Sequence, residues 1–164
     1  MALSATDIDA TDGGADANSF DTLANADEYF EKRPDSGAWQ DGNVGERVGS
    51  MLFAVILIER ETYYAKKASV DQALSFPLIG QTAIPTNAKH AQFEQALDLL
   101  KGDWVGRAEF RELQAVGVRQ AGGRDMETQM SKATPEGYPM YSLCRAAREL
   151  LLPFTETTIR LGRA

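Results

Sequence analysis

DQALSFPLIGQTAIPTNAKHAQFEQALDLLKG, residues 71–102, decides the fold class. Pro77 and Pro85 each fix φ and offer no N–H to a ladder, so Phe76 to Ile84 reads as a rigid, extended connection rather than helix or central strand. Pro85 suits the first turn of a helix, where a missing N–H costs nothing. Beyond it Phe93, Ala96, Leu97 and Leu100 recur at helical spacing and make one apolar stripe, and Gly102 stands where a C-terminal cap belongs. An extended connection feeding an amphipathic helix is a scaffold element. It carries no catalytic constellation.

Working toward the N-terminus, the run MLFAVILI (51–58) is the most apolar stretch. Its pattern continues through Val44 and Val48 on one side and charged Glu59, Arg60 and Glu61 on the other, which predicts a central helix over about Val44–Tyr64. The run is far short of the roughly 20 residues needed to span a membrane. Upstream of it Trp39 pins a loop over Asp35–Asn43. Before that loop Thr22 caps a short helix whose Leu23, Ala26 and Phe30 share a face and which Pro34 ends. Residues 1–18, rich in Asp, Ala, Gly, Ser and Thr, read as a flexible or partner-ordered acidic leader without the features of a secretory signal.

Toward the C-terminus, residues 103–132 are less regular. Phe110–Gln120 has β-branched residues with partial alternation, and Gly122 with Gly123 marks a tip, so a β arm or hairpin is expected around 105–125. A last helix is predicted from Pro135 or Pro139 to just before Pro153, with a stripe of Met140, Leu143, Cys144, Ala147, Leu150 and Leu151. Residues 153–164 change to period two, a strand pattern in need of a partner. Either Phe110–Gln120 or another chain could supply it.

The predicted whole is mainly α: a small antiparallel bundle of about four helices over 19–152, with a short β arm and an extended C-terminal tail, 153–164. Its expected core includes Phe30, Leu52, Val55, Phe93, Leu97, Leu100, Leu143 and Leu150.

The formal net charge of −7 is concentrated at one end. Residues 1–43 hold ten acids and two bases, which leaves the rest nearly neutral. No basic face of the kind that neutralises phosphates is visible. One cysteine, Cys144, and one histidine, His90, exclude disulfide frameworks, zinc ribbons and histidine-rich metal sites. Neither a cofactor nor an enzymatic activity is expected.

The chemistry-bearing residues each have a plainer role. Glu59 with Glu61, or Glu94 with Asp98, could form acid–base pairs, but the second pair falls away from Phe93 and Leu97, where a solvated charged face is expected. His90 has no neighbouring nucleophile, and Cys144 lies in an apolar stripe as a small hydrophobe. The glycine cluster GNVGERVG (42–49) lacks the Lys-Ser/Thr of a nucleotide loop. Tyr63, Tyr64, Trp39 and Trp104 could stack bases, with Lys66 and Lys67 as the local positive charge. A solvated helix end is the competing reading of that patch.

Three stretches together resemble a known family. DANSFDTLANADEYFEKR (16–33) with Trp39, then DQALSFPLIG (71–80) with IPTNAKHAQFEQALDLL (84–100), then LLLPF (150–154) with TIRLGRA (158–164) follow the order of signatures in head–tail connector, or adaptor, proteins of tailed bacteriophages. The resemblance covers about residues 15–164. It implies a structural virion protein made in the host bacterial cytoplasm, forming a ring, typically of twelve copies, beneath the portal protein. Such a ring joins capsid to tail, meets the next connector or tail component, and lets double-stranded DNA pass without specific binding. It also implies that the C-terminal segment docks on the portal, through Phe154, Thr157, Ile159, Arg160, Leu161 and Arg163. Some members of that family carry a DnaT-like label as single-stranded DNA-binding replication accessory proteins, which is the alternative function. No membrane partner is implied.

Overall fold

A computed structural model describes residues 3–102 and 143–155. The chain divides into two compact units, residues 1–101 with 143–164 and residues 102–142, and apart from Gly102 the described residues all belong to the first. That unit is mainly helical: α1 Leu23–Glu31, α2 Gly37–Asp41, α3 Val44–Ile58, α4 Thr86–Leu100 and α5 Arg145–Leu151. Among the described residues there is no sheet, only two isolated antiparallel bridges, Tyr63 with Thr155 and Lys67 with Leu78. The expected β arm lies outside the described residues.

Local chemistry explains where the helices begin. Thr22 Oγ1 accepts the Asn25 N–H at 3.3 Å, and Leu23, Ala26 and Phe30 are the buried residues of α1. Asn43 and Glu46 form a reciprocal capping box, with Asn43 Oδ1 accepting the Glu46 N–H at 3.0 Å and Glu46 Oε2 accepting the Asn43 N–H at 2.8 Å. Pro85 precedes α4 as its N-cap instead of opening the first turn, with ψ 142° still extended. At the other end Gly102 takes φ +69°, the left-handed conformation that a glycine adopts without a Cβ penalty.

Two helices are shorter than their patterns suggest. α3 stops at Ile58 rather than near Tyr64 because the following residues have other partners. Tyr63 Oη donates to the Ile58 carbonyl at 2.7 Å, and Glu59 accepts both the Ser75 N–H and its hydroxyl, each at 2.8 Å. α5 begins at Arg145 with Cys144 as its N-cap, so Cys144 turns out to be a capping as well as a buried residue. Its Sγ accepts the Ala147 N–H at 3.4 Å, while its own N–H donates to Gln95 Oε1 on α4 at 2.6 Å.

α4 packs against both α3 and α5. One core cluster joins Leu23, Ala26 and Phe30 of α1, Trp39 of α2, Val48, Met51 and Ala54 of α3, and Phe93, Ala96 and Leu97 of α4. Leu52 and Leu100 pack on it from partly buried positions, Val55 and Leu143 are buried, and Leu150 is half-buried. The rings of Phe30 and Trp39 lie 4.7 Å apart, close enough for an aromatic contact beyond simple area burial.

The connection before α4 is extended and paired. Residues 66–68 run beside 77–79: the Ala68 N–H donates to the Pro77 carbonyl at 2.9 Å and the Ile79 N–H to the Lys66 carbonyl at 2.9 Å. Pro77 therefore serves the pairing through its carbonyl alone. Phe76 is the hub of a second aromatic group, with the rings of Tyr63 at 4.8 Å, Phe154 at 5.3 Å and Phe20 at 5.6 Å.

Residues 3–18, read from sequence as an acidic leader, make defined contacts with one another and with the body. Asn18 Oδ1 accepts the Asp9 N–H at 2.8 Å and Asn18 Nδ2 donates to the Asp7 carbonyl at 2.8 Å, while the Ala73 N–H donates to the Gly14 carbonyl at 3.0 Å. Leu3 lies over Gly49 of α3, where an added Cβ would sit 3.4 Å from Leu3 Cδ1. Buried polar groups complete the joint. Gln92 Oε1 on α4 accepts the Phe20 N–H at 3.0 Å, and its Nε2 donates to Ser19 Oγ at 2.7 Å and the Met51 carbonyl of α3 at 3.2 Å. A buried amide is tolerated because both its oxygen and its nitrogen are satisfied.

Candidate functional site

Two surfaces hold the residues able to recognise a partner. The first is a groove between α1 and α4, about 450 Å³, lined by residues that include Asp21, Asn25, Tyr29, Arg33 and His90. Two of its lining residues meet Glu94, which accepts the Tyr29 hydroxyl at 2.5 Å and an ion-paired hydrogen bond from the Arg33 guanidinium. Arg33 also grips Asp35 through two hydrogen bonds, 3.0 and 2.9 Å. Glu94 is thus buried and paired, contrary to its expected place on a solvated face. Helical spacing with Asp98 gave no sight of Arg33, which arrives from the turn after α1. The buried carboxylate needs that charge and those hydrogen bonds.

His90 sits in this groove with its ring 4.6 Å from that of Tyr29 and 6.1 Å from that of Phe93. Desolvation lowers its pKa below the ordinary 6.5, with Asp21 opposing the shift. A lowered histidine binds fewer protons folded than unfolded. Its contribution to stability is fully present above about 6.5 and is withdrawn as pH falls from there through the lower folded value. Unfolding midpoints measured from pH 7 to 5 should therefore fall more steeply in the wild type than in His90→Gln; parallel curves would show that His90 is not the group responsible.

The second surface is built from the two bridges. The Tyr64 N–H donates to the Phe154 carbonyl at 3.0 Å, next to the Tyr63–Thr155 bridge, so Phe154 and Thr155 are held beside this aromatic pair. Tyr63 is half-buried, its phenol pushed well above its ordinary pKa by desolvation and by Glu59 and Glu61. Tyr64 is 57% exposed, and Arg60 and Lys66 beside it are exposed. Lys67 is held down, its Nζ donating to the Ala73 carbonyl at 2.6 Å and the Gln72 carbonyl at 3.3 Å.

The other aromatic candidates do not join this patch. Trp39 is buried, its indole N–H donating to Asp27 Oδ1 at 2.8 Å, and Trp104 lies outside the described residues. Of the residues that the resemblance assigns to docking, Phe154 packs its ring on Phe76, and Thr157, Ile159, Arg160, Leu161 and Arg163 lie outside the described residues. Much of the body's positive charge is paired: Lys32 with Glu28, Arg33 with Asp35 and Glu94, Arg47 with Asp27, Lys89 with Asp21, and Arg145 with Glu149. Among the described residues no cluster of His, Cys, Asp and Glu is arranged to hold a metal, and no helix is long and apolar enough to cross a membrane.

Residues 5–164 match the model of the family described as "Putative DnaT-like ssDNA binding protein". The chain belongs to this family. The match takes in all three stretches on which the resemblance rests, together with both surfaces described above. No curated protein and no solved structure gives a significant match to the chain.

Sequence reasoning marked the Tyr63–Lys67 patch by the two lysines that follow the two tyrosines, with a solvated helix end as the competing reading. It missed the arrival of Phe154 and Thr155 on that patch. The signal available was the period-two pattern of the tail, which announces a strand but does not name its partner.

Proposed function

We propose that the protein is a non-enzymatic binding protein that contacts single-stranded DNA weakly and without sequence preference. Membership of the DnaT-like family, across residues 5–164, carries this reading. The surface around Tyr64 suits it: an exposed ring offers a stacking face to any base, and Arg60 and Lys66, close to it in sequence, are exposed. Among the described residues Lys32, Arg33, Arg47, Lys89 and Arg145 are already ion-paired and do not serve phosphates, so affinity is modest and falls with salt.

The test is fluorescence anisotropy with a labelled oligothymidylate of about 30 nucleotides. At about 50 mM salt the wild type should bind with a dissociation constant on the order of 10 μM. Tyr64→Ala should weaken it by about 1–3 kcal/mol if one base stacks there. A flat titration of wild-type protein at low salt overturns the reading.

A second reading, the head–tail adaptor, is favoured by the antiparallel bridge that holds Thr155 to Tyr63 and by the ion pairing of Arg33, Arg47 and Lys89 among the described bases. The C-terminal segment, whose sequence alternates with period two, could add as a strand to the portal, with Ile159 and Leu161 filling pockets and Arg160 and Arg163 pairing with acids. In this reading the protein is a virion component whose ring of about twelve copies surrounds passing double-stranded DNA without gripping it. Electron microscopy of the protein mixed with its portal separates the two: an added ring of matching symmetry supports the adaptor, and its absence removes it.

A further inference from the structure

We propose that the outer edge of residues 63–67 is a docking edge for an extended acidic segment of a protein partner, which adds to it as a strand. The proposal does not rest on the single-stranded DNA reading and concerns a different class of partner.

The geometry comes from the two antiparallel bridges. At Lys67 and Leu78 the bonds are made by the flanking residues: the Ile79 N–H donates to the Lys66 carbonyl at 2.9 Å, and the Ala68 N–H to the Pro77 carbonyl at 2.9 Å. Lys67 and Leu78 are therefore a non-hydrogen-bonded pair, in which each residue turns its own N–H and C=O away from the other. Tyr63 stands in the same relation to Thr155, because the bond beside that bridge runs from the Tyr64 N–H to the Phe154 carbonyl at 3.0 Å. Tyr63 and Lys67 thus turn their backbone groups to the same open side. Neither they nor Ala65 between them makes a backbone–backbone hydrogen bond among the described residues. Such an edge is a template for another chain.

The far edge of the same pairing is closed by side chains. Leu78 donates its outward N–H to Gln81 Oε1 at 2.8 Å, and the buried Gln72 donates to the Pro77 carbonyl at 3.0 Å. No described side chain does the same for Tyr63, Ala65 or Lys67. At roughly 3.3 Å per residue, Tyr63 to Lys67 spans at most about 13 Å, enough to pair with about five residues of a peptide.

Charge selects the occupant. Arg60 and Lys66 are exposed and enter no ion pair among the described residues, and Lys67 adds a third base. Against them stand Glu59, whose carboxylate is engaged by Ser75, and the half-buried Glu61. Acids at alternate positions of an incoming strand complement this edge. A second copy of the chain is disfavoured, since it brings Arg60, Lys66 and Lys67 against the same three residues. Nucleic acid meets the bases but has no peptide groups to pair with the backbone.

The experiment uses the full-length, ¹⁵N-labelled protein and a nonapeptide alternating aspartate with valine, titrated to about 1 mM, the weak end of specific binding. Amide shifts should centre on residues 63–67, and hydrogen exchange at the Tyr63 and Lys67 amides should slow. A peptide N-methylated at alternate residues on its pairing edge should bind at least about tenfold more weakly. Arg60→Glu with Lys66→Glu should weaken binding by a similar factor, and a peptide with lysine in place of aspartate should not bind. Ala65→Pro should block docking; because that variant risks misfolding, the N-methylated peptide tests the same point on the wild type. The proposal is overturned by no binding up to that concentration, by equal affinity for the N-methylated peptide, or by shifts centred elsewhere. It is equally overturned if Tyr63 and Lys67 are protected only by oligothymidylate, or by the protein's own concentration without peptide.

Discussion

Phe30→Ala should lower the unfolding free energy by about 3–5 kcal/mol, the range for emptying a buried aromatic site. The ring is wholly buried and touches aromatic neighbours on three elements: Tyr29 at 5.1 Å on its own helix, Trp39 at 4.7 Å on α2, and Phe93 at 6.4 Å on α4. Those neighbours are held elsewhere, Trp39 by its hydrogen bond to Asp27 and Tyr29 by Glu94, so they cannot collapse into the space. The measurement is a urea titration followed by circular dichroism, with the midpoint falling at an unchanged slope. A loss of that size is a large share of a typical domain's stability, so Phe30→Leu, which keeps most of the volume, provides a folded variant with a smaller shift in the same direction. A shift under about 1 kcal/mol for the alanine variant would mean that the ring does not sit at the centre of the cluster.

The second large effect is an asymmetry at the α1–α4 groove. Arg33→Met should cost about 3 kcal/mol, because it leaves the Glu94 carboxylate buried with only the Tyr29 hydroxyl as partner. This is the low end of the range for breaking a buried pair, since the Arg33 side chain is 28% exposed and water can reach part of its place. Glu94→Leu should cost less, because Arg33 keeps its two hydrogen bonds to Asp35. Arg33→Met combined with Glu94→Leu should lie near the Glu94→Leu value, well short of the sum. Additive losses in the double-mutant cycle would show that the two side chains are not coupled.

The legible part of the fold was the part written in short-range pattern. Thr22 with the Leu23, Ala26 and Phe30 face marks α1, the run 51–58 marks α3, and the Phe93–Leu97 stripe closed by Gly102 marks α4, because caps and apolar periodicity act within a few residues. What could not be read was set by partners distant in sequence. Glu94 looks solvated until Arg33 reaches it from the turn after α1. Gln92 and Gln95 look like the polar side of a helix, yet they are buried to satisfy backbone groups of Phe20 and Cys144. The end of α3 is decided by Ser75 and Phe154, neither of which leaves a trace in residues 59–64. The candidate site divides in the same way: its aromatic and basic residues are visible in sequence, while the capture of Lys67 and the arrival of the tail root are not.

The Gln92 amide has a consequence for how the domain comes together. It joins α4 to residues 72 and 41 positions away, at Phe20 and Met51. Closing such long loops is entropically costly and is repaid only when the distant segments are present together, which slows folding relative to a bundle stitched by neighbours alone. The same arrangement resists piecemeal opening. The Phe20 amide proton can reach solvent only when the N-terminal segment parts from α4, so its hydrogen exchange follows the largest openings of the domain rather than the fraying of a helix end.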